Sequence, residues 1–259
     1  MTPAPTARSG RNTTTDRTLE ILSMFSDTRL SISVADLVAE LAMSRSSAYR
    51  YLQSLIRSQF LESAPDGSFR LGMRVLDLAR LARVGYGISE LAVPEMRSLA
   101  AEHRATVILT SLIGRSVVCL EREEWLGQFV RLSYAPGLEL PVNAGASALV
   151  LLAWKSRDDV ERLLDRPFIK FTTNTLTDVA AILERLATIR DEGQAVSFAE
   201  VDPAALGIAV PVRGPDDSVV AALSIVFLKT QVSDAQLTRA FENLHRAAGR
   251  ISERLRLAA

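Results

Sequence analysis

Two fold classes meet in this 259-residue sequence. One is a winged helix-turn-helix head of three helices plus a β-hairpin wing; the other is an α+β domain with an antiparallel sheet, joined to the head by a linker helix. Three observations predict this. Residues 33–57 read as two short amphipathic helices around one tight turn. Residues 60–71 place short apolar segments on either side of Ser63-Ala64-Pro65-Asp66-Gly67. Beyond Gly87, strand-like runs arrive in hairpin pairs with helical stretches gathered around them, a pattern that favours helices on an antiparallel sheet over a doubly wound one.

In chain order, the first helix is expected over Thr15 to Ser26, with Leu19, Leu22 and Phe25 along one side. Ser33 with Asp36 three residues on is a capping-box start, and Val34, Leu37, Val38 and Leu41 follow at helical spacing. Ser44 starts another helix at once, whose apolar positions Ala48, Tyr51, Leu52 and Leu55 repeat that spacing. With only Ala42 and Met43 between them, the two helices must cross steeply for both stripes to reach one small core. Pro-Asp-Gly then marks a hairpin, because Pro presets φ and Gly supplies φ > 0. A two-stranded ribbon is marginal alone, so the wing is expected to lean on the helices through Phe60 and Leu71.

Once the second of the paired helices turns its stripe inward, Arg45, Ser46, Tyr49, Arg50, Gln53 and Arg57 face away, with Ser47 at the helix start. No acid occurs from Met43 to Leu61. An ordinary solvated helix face mixes Glu with Lys and Arg. This one offers cations, hydroxyls and one amide, which donate to phosphate oxygens, and an arginine can donate two parallel bonds to guanine. Double-stranded DNA is the expected partner, with Arg70 on the wing as a phosphate contact. Residues 1–86 hold eleven Arg and eight acids, or +3, and the remainder is −3. A single head at +3 binds weakly, so a homodimer or dimer-of-dimers tetramer is expected to gain through effective concentration. Arg8 and Arg11 in the N-terminal tail could reach a minor groove, although solvated disorder is the preferred reading.

Residues 72–86 are expected to form a helix, which can pack onto its own domain or serve as a linker pairing with its copy in another subunit. Leu71, Val75, Leu78 and Ala82 give one stripe, while Leu76 and Leu81 fall off it, so the helix wants partners on two sides. From Gly87 onward, a helix capped by Ser89 runs to His103, followed by strands over 106–113 and 116–123 and a third over 128–134. Helices follow over Ala144 to Trp154, 157–165 and 178–191. Strands over 194–200, 207–213 and 219–228 and a closing helix from Gln231 complete the domain.

Composition narrows the function. With 48% hydrophobic residues a core is affordable, yet no run approaches the ~18 uninterrupted apolar residues of a membrane span, and the N-terminus lacks the apolar region of a signal peptide. The single cysteine, Cys119, excludes an internal disulfide and a cysteine-cluster metal site; a cytoplasmic location and no cofactor are expected. His103 and His245, the two histidines, have no nucleophile-base-orienter neighbours. No G-x-S-x-G, P-loop or dinucleotide fingerprint occurs, so the chain is not expected to be an enzyme. The run Asn143-Ala144-Gly145-Ala146-Ser147-Ala148, rich in small residues, admits two readings that composition leaves even. It can hold a polar ligand end at a helix N-terminus, or it can simply allow close helix–sheet packing.

Three stretches resemble one family. They are Met43 to Leu52 with Phe60-Leu61, then Pro136-Gly137 through Leu140–Ala146 to Leu151-Leu152-Ala153, and finally Gly193 through Glu200 to 208–212 and 219–224. In this order over about 240 residues, they are similar to the IclR-type bacterial transcription regulators. The resemblance implies a GAF-like or profilin-like effector domain over 87–259, a head over 15–71, a flexible tail over 1–14, and linker helices that pair between subunits. It also implies an effector cavity lined here by Ala146, Ser147, Ser197, Gly207, Ser224 and Val226. Relatives that bind small oxoacids carry an acid at Ser197, a cysteine at Gly207 and a serine at Val226. They also have Gly-Lys where this chain has Ala148-Leu149. Fewer charges, with extra room at Gly207, point to a larger or more apolar organic acid, such as an aromatic one, with Leu126, Phe129, Leu138 and Leu140 as candidate walls. The function so implied is a sequence-specific regulator, a repressor for preference, whose operator affinity a small metabolite controls. The alternatives are an effector-independent architectural DNA binder and an autoregulatory enzyme with a DNA-binding head.

Overall fold

The computed structural model describes residues 14–26, 28–125 and 134–258. The chain divides into two compact units, Met1–Ala82 and Arg83–Ala259.

The first unit holds α1 (Thr14–Leu22), α2 (Val34–Glu40), α3 (Arg45–Arg57) and the antiparallel strands β1 (Leu61–Ser63) and β2 (Phe69–Leu71). Ser33 and Asp36 form the reciprocal capping box that starts α2, and the Ser44 hydroxyl accepts the Ser47 N–H at 3.2 Å to start α3. Between them Ala42 adopts φ 48°, the left-handed conformation that reverses the chain within one turn. Ile21, Ile32, Leu37, Ala48, Leu52, Leu55, Leu61 and Phe69 form the core.

Two expectations for this unit are corrected. Helix α1 stops at Leu22, and its buried residue is Ile21, while Leu19 is 57% exposed. The wing anchors through Leu61 and Phe69 rather than Leu71, which is exposed. Phe60 packs at the rim of the core. A pairing outside the hairpin holds Phe69 over the core: Ile32 and Phe69 exchange both backbone hydrogen bonds, at 2.9 and 2.8 Å. Gly72 closes the wing, since a Cβ there would stand 2.3 Å from the Gln59 carbonyl oxygen.

Helix α4 (Met73–Tyr86) follows the wing, with Met73, Leu76, Leu78 and Leu81 exposed.

The second unit is an antiparallel sheet in the order β5-β4-β3-β8-β7-β6. Its strands are β3 (Thr106–Ile113), β4 (Ser116–Glu124), β5 (Glu139–Leu140), β6 (Ala195–Phe198), β7 (Ala205–Arg213) and β8 (Val219–Leu228). On one face lie α5 (Ile88–His103) and α9 (Asp234–Ala258), whose core takes Val107, Leu109, Ile208, Val210, Leu223 and Ile225 from the strands. The other face carries α6 (Ala146–Ala153), α7 (Arg157–Leu164) and α8 (Val179–Glu192), packed on Ile108, Val117, Ala209, Ala222 and Val226. Alternate residues of each strand thus serve opposite layers. Both faces are covered, which is why these strands read as nearly continuous apolar runs. The predicted α+β architecture is present.

Here too there are corrections. Gly87 with φ 60°, not Ser89, precedes α5, and Ser89 is buried. Helix α6 begins at Ala146 rather than Ala144, and β5 was not foreseen. Of the expected strand over 128–134, all but Tyr134 lies outside the described residues, as do Leu126 and Phe129, and Arg8 and Arg11.

Candidate functional site

Helix α3 buries Ala48, Leu52 and Leu55 and presents the opposite side to solvent. Arg45, Ser46, Tyr49, Arg50, Gln53 and Arg57 are all exposed, Tyr49 by 53%. Ser47 is half-buried and engaged with the cap, receiving the Ser44 hydroxyl proton at 3.0 Å. Elsewhere in this unit Arg17 pairs with Glu20, Arg29 with Asp36 and Glu40, and Arg74 with Asp77. Arg70 reaches across the wing to Glu62 at 3.0 Å, so that cation is partly neutralised. Among the described residues, Arg45, Arg50 and Arg57 have no acidic partner; the Arg50 guanidinium lies 5.6 Å from the centre of the Tyr51 ring. At ~1.5 Å per residue, α3 is about 20 Å long, and with side chains it is about as wide as a major groove, which is ~12 Å across.

In the second unit, β-sheet register assembles a chamber. Ser197, Gly207 and Val226 stand side by side on β6, β7 and β8. Ser224, two residues before Val226, faces the same way. The N-terminus of α6 closes this row from above with Ala146 and Ser147. All six sequence-predicted effector residues line one chamber of about 40 Å³, together with Ile108, Tyr134, Gly145, Glu200 and Asp202. Inside it, the Ser147 hydroxyl donates to the Ser224 hydroxyl at 2.9 Å, and Ser224 donates to the Ile108 carbonyl at 3.2 Å. The room expected at Gly207 is slight, since a Cβ there would already touch those of Ala146 and Ser197, at 3.8 and 3.9 Å.

The sequence reading gave Glu200 no role. It is 9% exposed, and its carboxylate accepts the Gly145 N–H at 2.9 Å, so the chain's own acid sits at the positive end of α6. Burial pushes its carboxyl above the ordinary glutamate range, against the hydrogen bonds from Gly145 and Ser197 and the nearby Arg185. The loop is held in place by its surroundings. Ala199 takes φ 53°, Thr172 donates to the Ala199 carbonyl and Thr175 to that of Glu200, both at 2.6 Å. A free helix N-terminus in the sequence asks which group satisfies it. An acid bracketed by Ala199 and Val201 in an otherwise apolar stretch was the available signal.

The chamber adjoins a groove of about 670 Å³ walled by Leu138, Val142, Phe168, Ile169 and Phe171, with Arg166 and Glu139 at its edge. Tyr134, Leu140, Pro141, Val201 and Asp202 border both spaces. Burial, with Asp202 adding to it, raises the Tyr134 phenol above its ordinary range. The histidines stand apart from the chamber: His103 meets Asn243 and His245 meets Gln194. Among the described residues no three His, Cys, Asp or Glu side chains cluster as metal ligands. No described helix is long and apolar enough to cross a membrane.

Comparison with known proteins agrees with both units. Residues 14–65 match the family model of the IclR helix-turn-helix domain, and residues 82–253 match that of the bacterial transcriptional regulator IclR C-terminal domain. Over 243 residues the chain is 29% identical to the HTH-type transcriptional regulator XynR of Escherichia coli strain K12, covering 93% of this chain and 96% of that protein. The crystal structure of an IclR transcriptional regulator from Silicibacter sp. TM1040 superposes with a TM-score of 0.85 at 27% identity, over 94% of this chain and 96% of that one. An IclR homologue from Microbacterium hydrocarbonoxydans, solved in complex with 4-hydroxybenzoate, gives a TM-score of 0.80 at 29% identity, over 93% and 98%.

Proposed function

Because the chain belongs to the IclR family of bacterial transcriptional regulators, we propose that it is a cytoplasmic, non-enzymatic repressor whose grip on its operator is set by an organic acid, an aromatic one for preference. The general activity follows from the family: it is a DNA-binding transcription regulator with a C-terminal effector domain. The finer reading rests on one observation, the three unpaired arginines on the solvent side of α3. Arg45, Ser46, Ser47, Tyr49 and Arg50 would enter the major groove, and Arg57 and Arg70 would hold phosphates, with Arg70 exchanging Glu62 for the backbone. A homodimer or dimer of dimers would present such heads to a near-palindromic operator, and the exposed leucines of α4 supply an apolar face for pairing between copies. The head is taken as residues 15–71, the linker as 72–86 and the effector domain as 87–259, after a tail over 1–14.

The effector would bind at Ala146, Ser147, Ser197, Gly207, Ser224 and Val226. Their hydroxyls and the α6 N-terminus suit a polar head, and a similar protein holds 4-hydroxybenzoate. Binding would shift populations between arrangements of the linker and heads, to the extent that the effector's affinity differs between them. A gel shift on the DNA upstream of the protein's own gene, at fixed salt, with random competitor and a panel of carboxylic acids, tests this. Specific binding that one acid weakens or tightens supports the reading. Specific binding indifferent to every acid leaves the regulator and removes the effector assignment.

A further inference from the structure

The chamber and the groove differ in size by more than tenfold, and that difference constrains what can bind. About 40 Å³ is the space of a few water molecules at most. It admits the end of a carboxylate or a hydroxyl and excludes an aromatic ring. The groove, at about 670 Å³, falls within the ordinary range for small-molecule sites. The two share a rim, so one molecule can occupy both.

We propose that the effector site is bipartite: the serine-lined chamber takes the polar head of an organic acid, and the groove takes an extended apolar or aryl body. This rests on the assignment of the chamber as the effector-binding site. The groove's chemistry identifies the body. Ile169 and Phe171 are 66% and 40% exposed, apolar surface that a ligand would cover. The loop bearing them is fixed rather than loose, since the Thr175 hydroxyl accepts the N–H groups of Phe171 and Thr172 at 3.1 and 2.9 Å. The groove does not offer a second anion site. Its arginine, Arg166, lies 3.6 Å from the Glu139 carboxylate and donates to the Arg115 carbonyl. Asp202 adds a negative charge at the rim. A dicarboxylate is disfavoured, and a single carboxylate with a long apolar tail is favoured.

The test is calorimetric titration of the full-length protein with pyruvate, benzoate, 3-phenylpropanoate and 4-phenylbutanoate. The parent protein should bind the phenylalkanoates more tightly than pyruvate, with up to about fourfold gained per buried methylene. Replacing Ile169→Ser and Phe171→Ser together, both exposed and outside the core, should weaken 4-phenylbutanoate about tenfold or more and leave pyruvate unchanged. Gly207→Val fills the chamber and should weaken every acid. The proposal is overturned if pyruvate binds as tightly as the phenylalkanoates, if the paired Ser variant binds all four like the parent, or if none of the four binds. If Gly207→Val spares 4-phenylbutanoate while the paired Ser variant loses it, the groove stands as a ligand site and the chamber assignment fails.

Discussion

The head can be destabilised without disturbing the effector domain, and Leu52→Ala is the change that does it. Leu52 is 1% exposed and belongs to a core of eight buried residues. Truncating a fully buried leucine to alanine costs about 2.7–5 kcal/mol, the spread reflecting how far the site collapses. A head of about 60 residues at the usual 0.05–0.15 kcal/mol per residue has about 3–9 kcal/mol in total. The substitution therefore removes about 45–80% of the stability at the centre of that range. Since 1 kcal/mol moves the midpoint of a domain this small by about 4–8 °C, the head transition should fall by at least about 10 °C. Among the described residues the two cores of the second unit draw no residue from the head, so calorimetry should show the second transition in place, with operator binding lost above the lowered midpoint and effector binding kept. The control is Leu19→Ala: the same chemistry at a position 57% exposed should cost within about 0.5 kcal/mol. If Leu19→Ala matches Leu52→Ala, or if Leu52→Ala lowers both transitions together, the reasoning about the head core is wrong.

Other outcomes are equally specific. Arg45→Ala or Arg50→Ala should each cost about 1–3 kcal/mol of operator affinity and relax preference at one base pair; a loss uniform across sequences, with the salt slope reduced by about one, would mark a phosphate contact instead. Burial raises the Glu200 carboxyl, so the folded state holds that proton more tightly than the unfolded chain and stability falls as pH rises through the raised value. Glu200→Gln keeps an acceptor for Gly145 without the charge, and this loss of stability at rising pH should vanish; thermal midpoints that track the parent at every pH would contradict it. Glu95 is the opposite case: the Arg250 hydrogen bonds, at 3.0 and 2.6 Å, hold its carboxyl below the ordinary range, so the stability it contributes is present above the unfolded value and lost as pH falls through the acid range. Glu95→Gln should cost about 1–2 kcal/mol at neutral pH, at the modest end because Arg250 is half exposed, and should show a smaller loss of stability on acidification than the parent.

What the sequence made legible was whatever local chemistry decides. Ser33 with Asp36, Ser44 with Ser47, and the Pro-Asp-Gly turn each act within four residues, and all three appear where the pattern put them. The strands over 106–113 and 219–228 were equally plain, because two covered faces demand unbroken apolar runs. The errors came where partners distant in sequence decide. Phe69 joins the core where Ile32, far back in the chain, pairs with it, while Leu71, two residues on, stays exposed. The first helix ends four residues early and buries Ile21 rather than Leu19; which side meets the core is a tertiary choice invisible to a stripe count. The six chamber residues come from four separate segments that only sheet register unites. Periodicity alone left the small-residue run undecided between ligand site and close packing; the family resemblance singled out the six positions. Glu200 was missed for the same reason, since its partner Gly145 lies 55 residues away.

If the chamber is the effector site, the position of Glu200 bears on how an acid would be sensed there. A helix N-terminus attracts anions, but here the first amide is already engaged by a buried carboxylate. A second carboxylate arriving there faces like charge at close range, which raises one of the two pKa values further. The acid can enter by displacing Glu200 from Gly145, or by leaving it protonated. Displacement strains the loop over 199–202, which Thr172 and Thr175 hold by its carbonyls. Those threonines belong to the same turn as Phe171, which lines the groove. Protonation ties affinity to pH, and burial of Glu200 has already brought that route closer. A neutral hydroxyl head would provoke neither response. An effector shifts an equilibrium only by its difference in affinity between states. A carboxylate that must move or neutralise Glu200 has such a difference built in, whereas a ligand that merely fills space does not.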